Sequence, residues 1–254
     1  MARMNARPAP REMTVLGSTS LSPSMQRVTL GGPGLADFPD GQQGGYVKLM
    51  LGETAAGKRI IRTYTIREHH ADRLEIDFAL HGGEAAGPAT KWALTAEPGS
   101  TIMVGGPGAA KPLPGGHDFY LVAGDMTALP AIGVNLAALD RNARGFAAIE
   151  VQSEGDIQQL DAPRGVEVQW LVNPEPGTRP DLLADALCAV ALPDGNIAGW
   201  AACEFSSMQR LRTYLRDELK LGGGSLYISS YWKAGLIEDE HKLAKREDAE
   251  AQPA

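Results

Sequence analysis

Cysteine is scarce in this sequence, which contains only Cys188 and Cys203 among its 254 residues. Two cysteines cannot build a disulfide scaffold, a four-thiolate zinc site or a protein-ligated iron–sulfur cluster. We therefore expect no metal site made by the protein itself. Any redox chemistry must come from a bound organic cofactor.

Positive charge is in deficit, because Lys and Arg total 24 against 31 Asp and Glu, which leaves a net charge of −7. An acidic protein repels polyanions, so the composition argues against a nucleic-acid partner. Long apolar runs are also missing, and residues 1–11 are basic and proline-rich rather than apolar. We expect a soluble cytoplasmic protein that does not enter a membrane, and a monomer by default.

From residue 13 to residue 106, short apolar segments are separated by turns rich in Gly, Pro and Asp. The clearest segment, residues 74–81, alternates apolar residues with mostly polar ones, as a half-buried strand does. Regular short strands of this kind predict a β-barrel. The glycine-rich residues 105–108 are interpreted as a turn. The predicted strands cover residues 14–16, 27–30, 46–51, 60–66, 73–81 and 101–104.

After a linker at residues 111–116 the pattern changes to alternating strands and helices, which predicts an α/β domain with a parallel sheet. Residues 1–116 are thus assigned to the barrel, residues 117–232 to the α/β domain, and residues 233–254 to a charged tail that forms an exposed helix. The predicted α/β strands are 119–123, 147–151, 166–172, 197–203 and 226–231, and the helices are 129–139, 180–190 and 205–219.

An arginine, an aromatic residue and a hydroxyl leave one apolar strand together at Arg62, Tyr64 and Thr65. The arginine can bind a pyrophosphate with its planar fork of donors, the tyrosine can lie against a ring system, and the threonine can hydrogen-bond the ring edge. A flavin dinucleotide offers all three groups. The alternative is an edge strand with a solvated arginine and a tyrosine packed on the barrel rim.

Two further turns can present backbone N–H groups to phosphates, because each opens a predicted helix. The first begins at Gly87 and Pro88. The second begins at Gly124 and Asp125, although the Gly-x-Gly-x-x-Gly fingerprint is absent and an ordinary capped turn is the alternative. Glu154 can accept from a ribose 2′-hydroxyl, which weakly favours NADH, or it is a solvated surface residue.

These segments resemble a known family. Residues 62–65 resemble the flavin-binding signature of the ferredoxin-reductase-like superfamily, and His81 with Gly87-Pro88-Ala89-Thr90 and Trp92 resembles the His and Gly-Pro-Ala-Ser-x-Trp stretch of siderophore-interacting proteins. Residues 124–131 are similar to that family's Gly-Asp-Glu-Thr-Ala-Leu-Pro-Ala motif, with Met126 in place of Glu. Residues 199–204, 231–235 and 238–241 complete the likeness.

The resemblance implies a six-stranded antiparallel barrel that binds FAD, followed by a nucleotide-binding domain, and electron transfer from NADH or NADPH through FAD to a ferric siderophore. Reduced ferredoxin can replace the nucleotide as donor. No side chain is expected to be catalytic, since the flavin carries the chemistry. The implied cofactor-binding residues are Arg62, Thr63, Tyr64, Thr65, His81, Pro88, Ala89, Thr90, Trp92, Gly124, Asp125, Thr127, Ala128 and Glu204.

A basic surface for an anionic ferric siderophore is also implied, with Lys48 as the first candidate. Some family members place an arginine where this chain has Gly108, so the remaining cations must come from elsewhere. Lys111 is one further candidate. The tail residues Lys233, Lys242, Lys245 and Arg246 are the others, although each of them can equally be a solvated or internally paired surface residue.

Two alternative functions remain open. The first is a flavoreductase of the same superfamily that reduces a protein, a free flavin or a quinone. The second is a flavin-free or redox-idle module that only sequesters the ferric chelate.

Overall fold

The computed structural model describes residues 9–81, 86–236 and 238–251. The chain divides into two compact units, Met1–Lys111 and Pro112–Ala254, so the charged tail belongs to the second unit. Among the described residues, no helix is both long enough and apolar enough to span a bilayer.

The first unit is a closed barrel of six antiparallel strands, as the resemblance implied. The strands follow the order β1-β2-β5-β4-β3-β6 around the barrel, and a single helix, α1 (Pro88–Thr95), lies between β5 and β6 in the sequence. The strand bounds are β1 (Arg11–Ser22), β2 (Met25–Gly31), β3 (Tyr46–Glu53), β4 (Arg59–His69), β5 (Arg73–Ala79) and β6 (Thr101–Gly108).

Alternation along the strands fills the barrel core. Leu74, Ile76 and Phe78, which the sequence placed on one face, are all fully buried. Asp77, on the opposite face, accepts a hydrogen bond from Arg27 Nε at 2.6 Å, and this contact raises the pKa of the arginine. A charged pair thus covers the outer side of β5 while its apolar side forms the core.

The interpretation of residues 105–108 as a turn was wrong, because β6 continues through all four. Lys48 and Tyr46 of β3 pair with Gly105 and Gly108 of β6, with an irregularity in register between the two pairs. Glycine and proline are poor strand formers, but the bulged register accommodates them. The glycine and proline content of this segment favoured a turn, and the sequence pattern did not reveal that β3 pairs with it.

The second unit is built around a five-stranded parallel sheet, which confirms the predicted α/β architecture. The strand order is β11-β10-β7-β8-β9, so β7 lies at the centre and its six residues are all buried. The strand bounds are β7 (Phe119–Gly124), β8 (Arg144–Val151), β9 (Gly165–Val172), β10 (Ile197–Glu204) and β11 (Leu226–Trp232).

Four helices accompany this sheet: α2 (Leu129–Ala137), α3 (Leu182–Cys188), α4 (Phe205–Arg212) and α5 (Glu238–Glu250). The helix predicted for residues 205–219 changes character after Arg212 and continues as a π-helical turn, Thr213–Glu218. The wider turn brings Leu219 N to 3.0 Å from Tyr214 O. Apolar spacing alone does not distinguish an i→i+4 turn from an i→i+5 turn.

The tail forms the predicted helix, α5, but the prediction that it is exposed was wrong for one face. His241 is only 6% exposed, and its Nε2 lies 2.8 Å from Ser230 Oγ of β11. Asp248 binds Arg212 through two hydrogen bonds, which lower the pKa of the aspartate. Polar contacts therefore dock a helix that has little apolar surface of its own.

Candidate functional site

The barrel places the arginine and tyrosine of the predicted flavin segment on one face of β4. Arg62 and Tyr64 of β4 pair with the buried residues Leu49 and Val47 of β3, and directly paired residues share a face of the sheet. The Tyr64 ring packs 4.2 Å, centroid to centroid, from the ring of Phe78. Arg62 and Tyr64 are both half-buried, so each keeps part of its surface for a ligand.

Helix α1 supplies a second group of donors in the same unit. The helix begins at Pro88, and no side chain in the described part of the chain caps its start at Gly87. A Cβ added to Gly87 would meet no atom of the described residues within 4 Å. An uncapped helix start suits a phosphate group. Binding of the FAD pyrophosphate by these donors and by the guanidinium of Arg62 stays a prediction.

Four other residues assigned to the cofactor take different positions. Trp92 lies on α1 and packs 5.6 Å from the ring of Phe78, so it supports the core beside Tyr64. His81 is exposed and follows the end of β5. Ala89 and Thr90 are buried in the first turn of α1. A contact between any of these side chains and the cofactor stays a prediction.

The opposite face of β4 carries small hydroxyl side chains. Thr63 and Thr65 pair with Lys48 and Tyr46 of β3, so these four residues share the outer face of the barrel. Lys48 is half-buried, and its Nζ forms no ion pair or hydrogen bond with any residue in the described part of the chain. An uncompensated cation thus lies beside the predicted flavin-edge residue, Thr65.

In the second unit, Asp125 organises the carboxyl ends of three strands. Its Oδ1 accepts from Thr127 N at 2.9 Å and Thr127 Oγ1 at 2.5 Å, while its Oδ2 accepts from Glu204 N at 2.8 Å and Trp232 Nε1 at 2.7 Å. Asp125 is 5% exposed, and this burial raises the pKa of its carboxyl. One carboxylate therefore ties the end of β7 to the ends of β10 and β11.

Glu204 is likewise occupied by the chain itself. Its Oε2 accepts from Ser206 N and Ser207 N, which caps α4, and its Oε1 accepts from Ala234 N at 3.0 Å. Glu204 therefore shapes this end of the sheet by holding two backbone segments. Direct contact of Glu204 with a nicotinamide stays a prediction.

Three amides of the turn after β7 are used internally. Thr127 N bonds the Asp125 carboxylate, and Ala128 N and Leu129 N both bond Asp125 O, at 3.0 and 3.1 Å. Pro130, next in the chain, has no N–H. The turn thus matches the ordinary capped turn that the sequence also allows. The phosphate contact of Gly124, Asp125, Thr127 and Ala128 stays a prediction.

A third buried carboxyl stands at the end of the neighbouring strand. Glu150 of β8 is 5% exposed and accepts from Asn173 Nδ2 at 2.8 Å. Its pKa is raised to about 7, chiefly by burial and to a smaller extent by the negative charges of Asp125 and Glu204. Sequence reasoning missed Glu150 and Asn173, although an acid at the end of a buried apolar strand was a usable signal.

These carboxyls lie near the point where the chain reverses the direction in which it adds strands to the sheet. From β7 the chain passes outward to β8 and β9, and it then returns to add β10 and β11 on the other side. Ligands of open α/β sheets bind outside the carboxyl ends of the strands at such a switch point. Asp125 and Glu204 stand there, at the ends of β7 and β10.

The tail cations assigned to the substrate have partners within the second unit or lie exposed. Lys233 Nζ is 4.3 Å from the centre of the Phe205 ring, a cation–π contact. Lys245 Nζ donates to Ser229 Oγ at 2.6 Å and to Ser230 O at 3.1 Å. Lys242 and Arg246 are exposed on α5. Their contact with a substrate stays a prediction.

Comparison with known proteins shows what this chain is related to. The family model described as "Siderophore-interacting protein" matches residues 117–235, and that of the "Siderophore-interacting FAD-binding domain" matches residues 14–59 and 53–111. The chain belongs to the siderophore-interacting protein family. The resemblance inferred from the sequence motifs is thereby confirmed.

Relatives of this siderophore-interacting protein cover nearly its whole length. The ferric vibriobactin reductase ViuB of Vibrio cholerae is 30% identical over 91% of this chain and 92% of its own. The crystal structure of the siderophore-interacting protein SipS from Aeromonas hydrophila has a TM-score of 0.84 at 30% identity, covering 96% of this chain and 99% of SipS.

A more distant structure confirms the ferredoxin-reductase type of fold. The ferredoxin NADP+ reductase of Neisseria gonorrhoeae, solved with FAD and NADP, has a TM-score of 0.64 at 14% identity, over 88% of this chain and 99% of the reductase. Identity this low speaks for the fold alone.

Proposed function

We propose that this protein is a cytoplasmic, FAD-dependent ferric-siderophore reductase that takes electrons from NADH or NADPH and releases ferrous iron. The observation that carries the proposal is the position of Arg62 and Tyr64 on one face of β4, within a unit that matches the siderophore-interacting FAD-binding domain. The similarity to a ferric vibriobactin reductase over 91% of the chain supports iron as the acceptor.

The barrel residues bind and orient the cofactor. Arg62 and the first turn of α1 would neutralise the pyrophosphate, and Tyr64 would lie against the ring system. Thr65 lies on the opposite face of β4, so it would meet the ring system only at its edge. Bound FAD would accept a hydride and pass electrons on one at a time, chemistry that no side chain here supplies. The protein's contribution is therefore position and charge.

The substrate is ferric iron held by oxygen donors. Ferric iron is a hard cation, so one added electron weakens its bonds to such donors and favours release. Ferric chelates of this kind are often anionic, and the unpaired Lys48 on the outer face of β3 provides local positive charge on a protein whose net charge is −7. Lys48 would thus attract the chelate toward the face that contains Thr65.

The second unit would bind the electron donor. Its parallel sheet has a switch point between β7 and β10, where nucleotides bind in other open α/β sheets. Glu154 is exposed in a 3₁₀ turn, Glu154–Asp156, soon after β8, and its carboxylate would repel a 2′-phosphate. NADH is therefore the donor we expect to be preferred.

An anaerobic steady-state assay tests this function. FAD-loaded protein is mixed with a ferric siderophore and a ferrous-iron trap, and NADH, NADPH or reduced ferredoxin is supplied in parallel. We expect ferrous iron to form fastest with NADH. Formation with ferredoxin alone would move the donor assignment to that protein, and reduction of quinone or free flavin without iron would refute iron as acceptor. If the purified protein is colourless and does not bind added FAD, the reductase proposal fails, and the alternative of a flavin-free module that sequesters the ferric chelate is favoured.

A further inference from the structure

The outer face of β3 carries an aromatic ring to which neither the fold nor the proposed cofactor contacts assign a role. Tyr46 is 37% exposed, and its ring lies directly over the backbone of Gly108 in β6. A Cβ at residue 108 would fall within the Tyr46 ring, closer to its Cζ than real Cβ atoms approach. The glycine therefore allows the tyrosine to lie flat against the strand.

Lys48 stands on the same face, two residues further along β3. Tyr46 pairs with Thr65 and Lys48 pairs with Thr63, so the ring and the cation lie beside the strand that carries the predicted flavin-edge residue. Tyr46 hydroxyl and Lys48 Nζ form no hydrogen bond or ion pair with residues that the structure describes. Both groups are thus available to a ligand from solvent.

An aromatic ring supported on one side by backbone is well suited to recognise another ring. Its motion is already restricted, so binding a flat ligand group costs little further conformational entropy. Stacked or edge-to-face ring pairs contribute about 0.5–1.5 kcal/mol beyond burial. A neighbouring ammonium adds attraction for a ligand whose rings carry negative charge.

We propose that Tyr46 is the specificity-determining residue for ferric chelates that hold iron through aromatic rings, such as catecholates, and that Lys48 provides the charge for the same ligand. The inference rests on the proposed function, because it names the class of siderophore that this surface takes. Chelates without aromatic rings would interact only with the positive charge of Lys48.

Binding of redox-inert gallium(III) chelates to the FAD-loaded protein tests the inference by isothermal titration calorimetry. Three probes separate ring from charge: the tris-catecholate is anionic and aromatic, the citrate is anionic without rings, and the desferrioxamine complex has neither property. We expect Tyr46→Leu to weaken tris-catecholate binding by roughly 3- to 10-fold and to leave citrate unchanged. Lys48→Met should weaken both anionic probes.

Two further variants keep the test independent of folding defects. Tyr46→Phe retains the ring and should bind the tris-catecholate like the wild type. Gly108→Ala keeps the tyrosine but displaces its ring, and should reproduce the loss seen in Tyr46→Leu. FAD content and melting temperature of each variant report whether the barrel is intact.

The inference is overturned if Tyr46→Leu and Gly108→Ala weaken all three probes equally, if neither affects the tris-catecholate, or if the wild type binds none of the probes. Failure of the proposed function is seen separately, with the iron(III) tris-catecholate. If the wild type binds the gallium chelate through Tyr46 but does not reduce the iron chelate, the reductase proposal fails and the recognition proposal stands.

Discussion

The guanidinium of Arg62 offers what a pyrophosphate needs, a permanent positive charge with several N–H donors in one plane. Replacing Arg62 by Ala should weaken FAD binding by roughly 10- to 100-fold, because charge-assisted hydrogen bonds contribute about 1.5–3 kcal/mol. Fluorescence titration of the FAD-free protein with FAD measures this change. Arg59→Ala is the matched control, since Arg59 lies exposed at the start of the same strand. Equal losses in the two variants would contradict a specific role of Arg62.

Glu150 should make the protein's stability depend on pH. Its pKa is about 7 when folded, raised by burial from an ordinary value of 4.5, so the folded state binds more protons than the unfolded state between these values. Stability therefore falls as pH rises from about 4.5 to 7, and the loss is complete above 7. A full shift corresponds to about 3 kcal/mol, and solvent screening reduces the expected effect to about 2 kcal/mol.

Glu150→Gln removes this titration and retains the acceptor for Asn173 Nδ2. We expect the variant to be more stable than the wild type by about 2 kcal/mol at pH 8 and to match it near pH 4.5. Urea unfolding of both proteins across this range measures the difference, in which the contributions of all other groups cancel. A difference that does not vary with pH would show that Glu150 titrates normally.

At the level of secondary-structure elements, the Asp125 carboxylate joins three strands. Each of its two carboxylate oxygens accepts two hydrogen bonds. In Asp125→Asn an NH₂ group replaces one of these oxygens, so it faces two groups that are themselves donors. We expect this variant to lose about 2–3 kcal/mol of stability, and Trp232→Phe to lose about 1 kcal/mol. In a double-mutant cycle the two losses should sum to more than the loss in the double variant, since they share one hydrogen bond. Strict additivity would contradict the shared contact.

The docking of α5 depends on polar contacts, chiefly the pair between Arg212 and Asp248, whose side chains are 14% and 13% exposed. Asp248→Asn should release the helix locally, because the arginine then loses its charged partner. Hydrogen exchange of the α5 amides should rise by roughly tenfold, while that of the barrel stays unchanged. Glu247→Gln, an exposed neighbour, is the control. Unchanged exchange in Asp248→Asn would show that other contacts hold the helix.

Local sequence pattern was sufficient for most elements. The alternation of β5 predicted its buried face correctly, and the uninterrupted apolar residues of β7 predicted a strand covered on both sides. Both depend only on the burial of residues close together in the chain. The location of Arg62 and Tyr64 on one strand face follows from the same period of two.

Contacts between distant parts of the chain were not predictable in this way. The strand at residues 105–108 exists because β3 pairs with it, and Asp125 is a hub because Glu204 and Trp232 reach it from strands far along the sequence. The stacking of Tyr46 on Gly108 depends equally on that pairing. Composition at one site does not reveal which distant segment lies against it.

At the scale of the whole molecule, charge is distributed unevenly. The protein is acidic overall, and three buried carboxyls stand at the carboxyl ends of the parallel strands, while Lys48 and Arg62 lie on the barrel. Net negative charge repels anionic chelates at long range. Under the proposed function, capture of an anionic chelate would therefore depend on local cations of the barrel, in line with the proposed recognition on the outer face of β3.

The central claim is that FAD held by the barrel delivers electrons to siderophore-bound ferric iron. The most direct test is a single-turnover titration, in which the FAD-loaded protein is fully reduced without oxygen by a stoichiometric amount of dithionite and then mixed with excess ferric siderophore and a ferrous-iron trap. We predict rapid reoxidation of the flavin and about two ferrous ions per FAD, because the reduced cofactor holds two electrons and each iron accepts one. A flavin that stays reduced, with no ferrous iron trapped, would contradict the account.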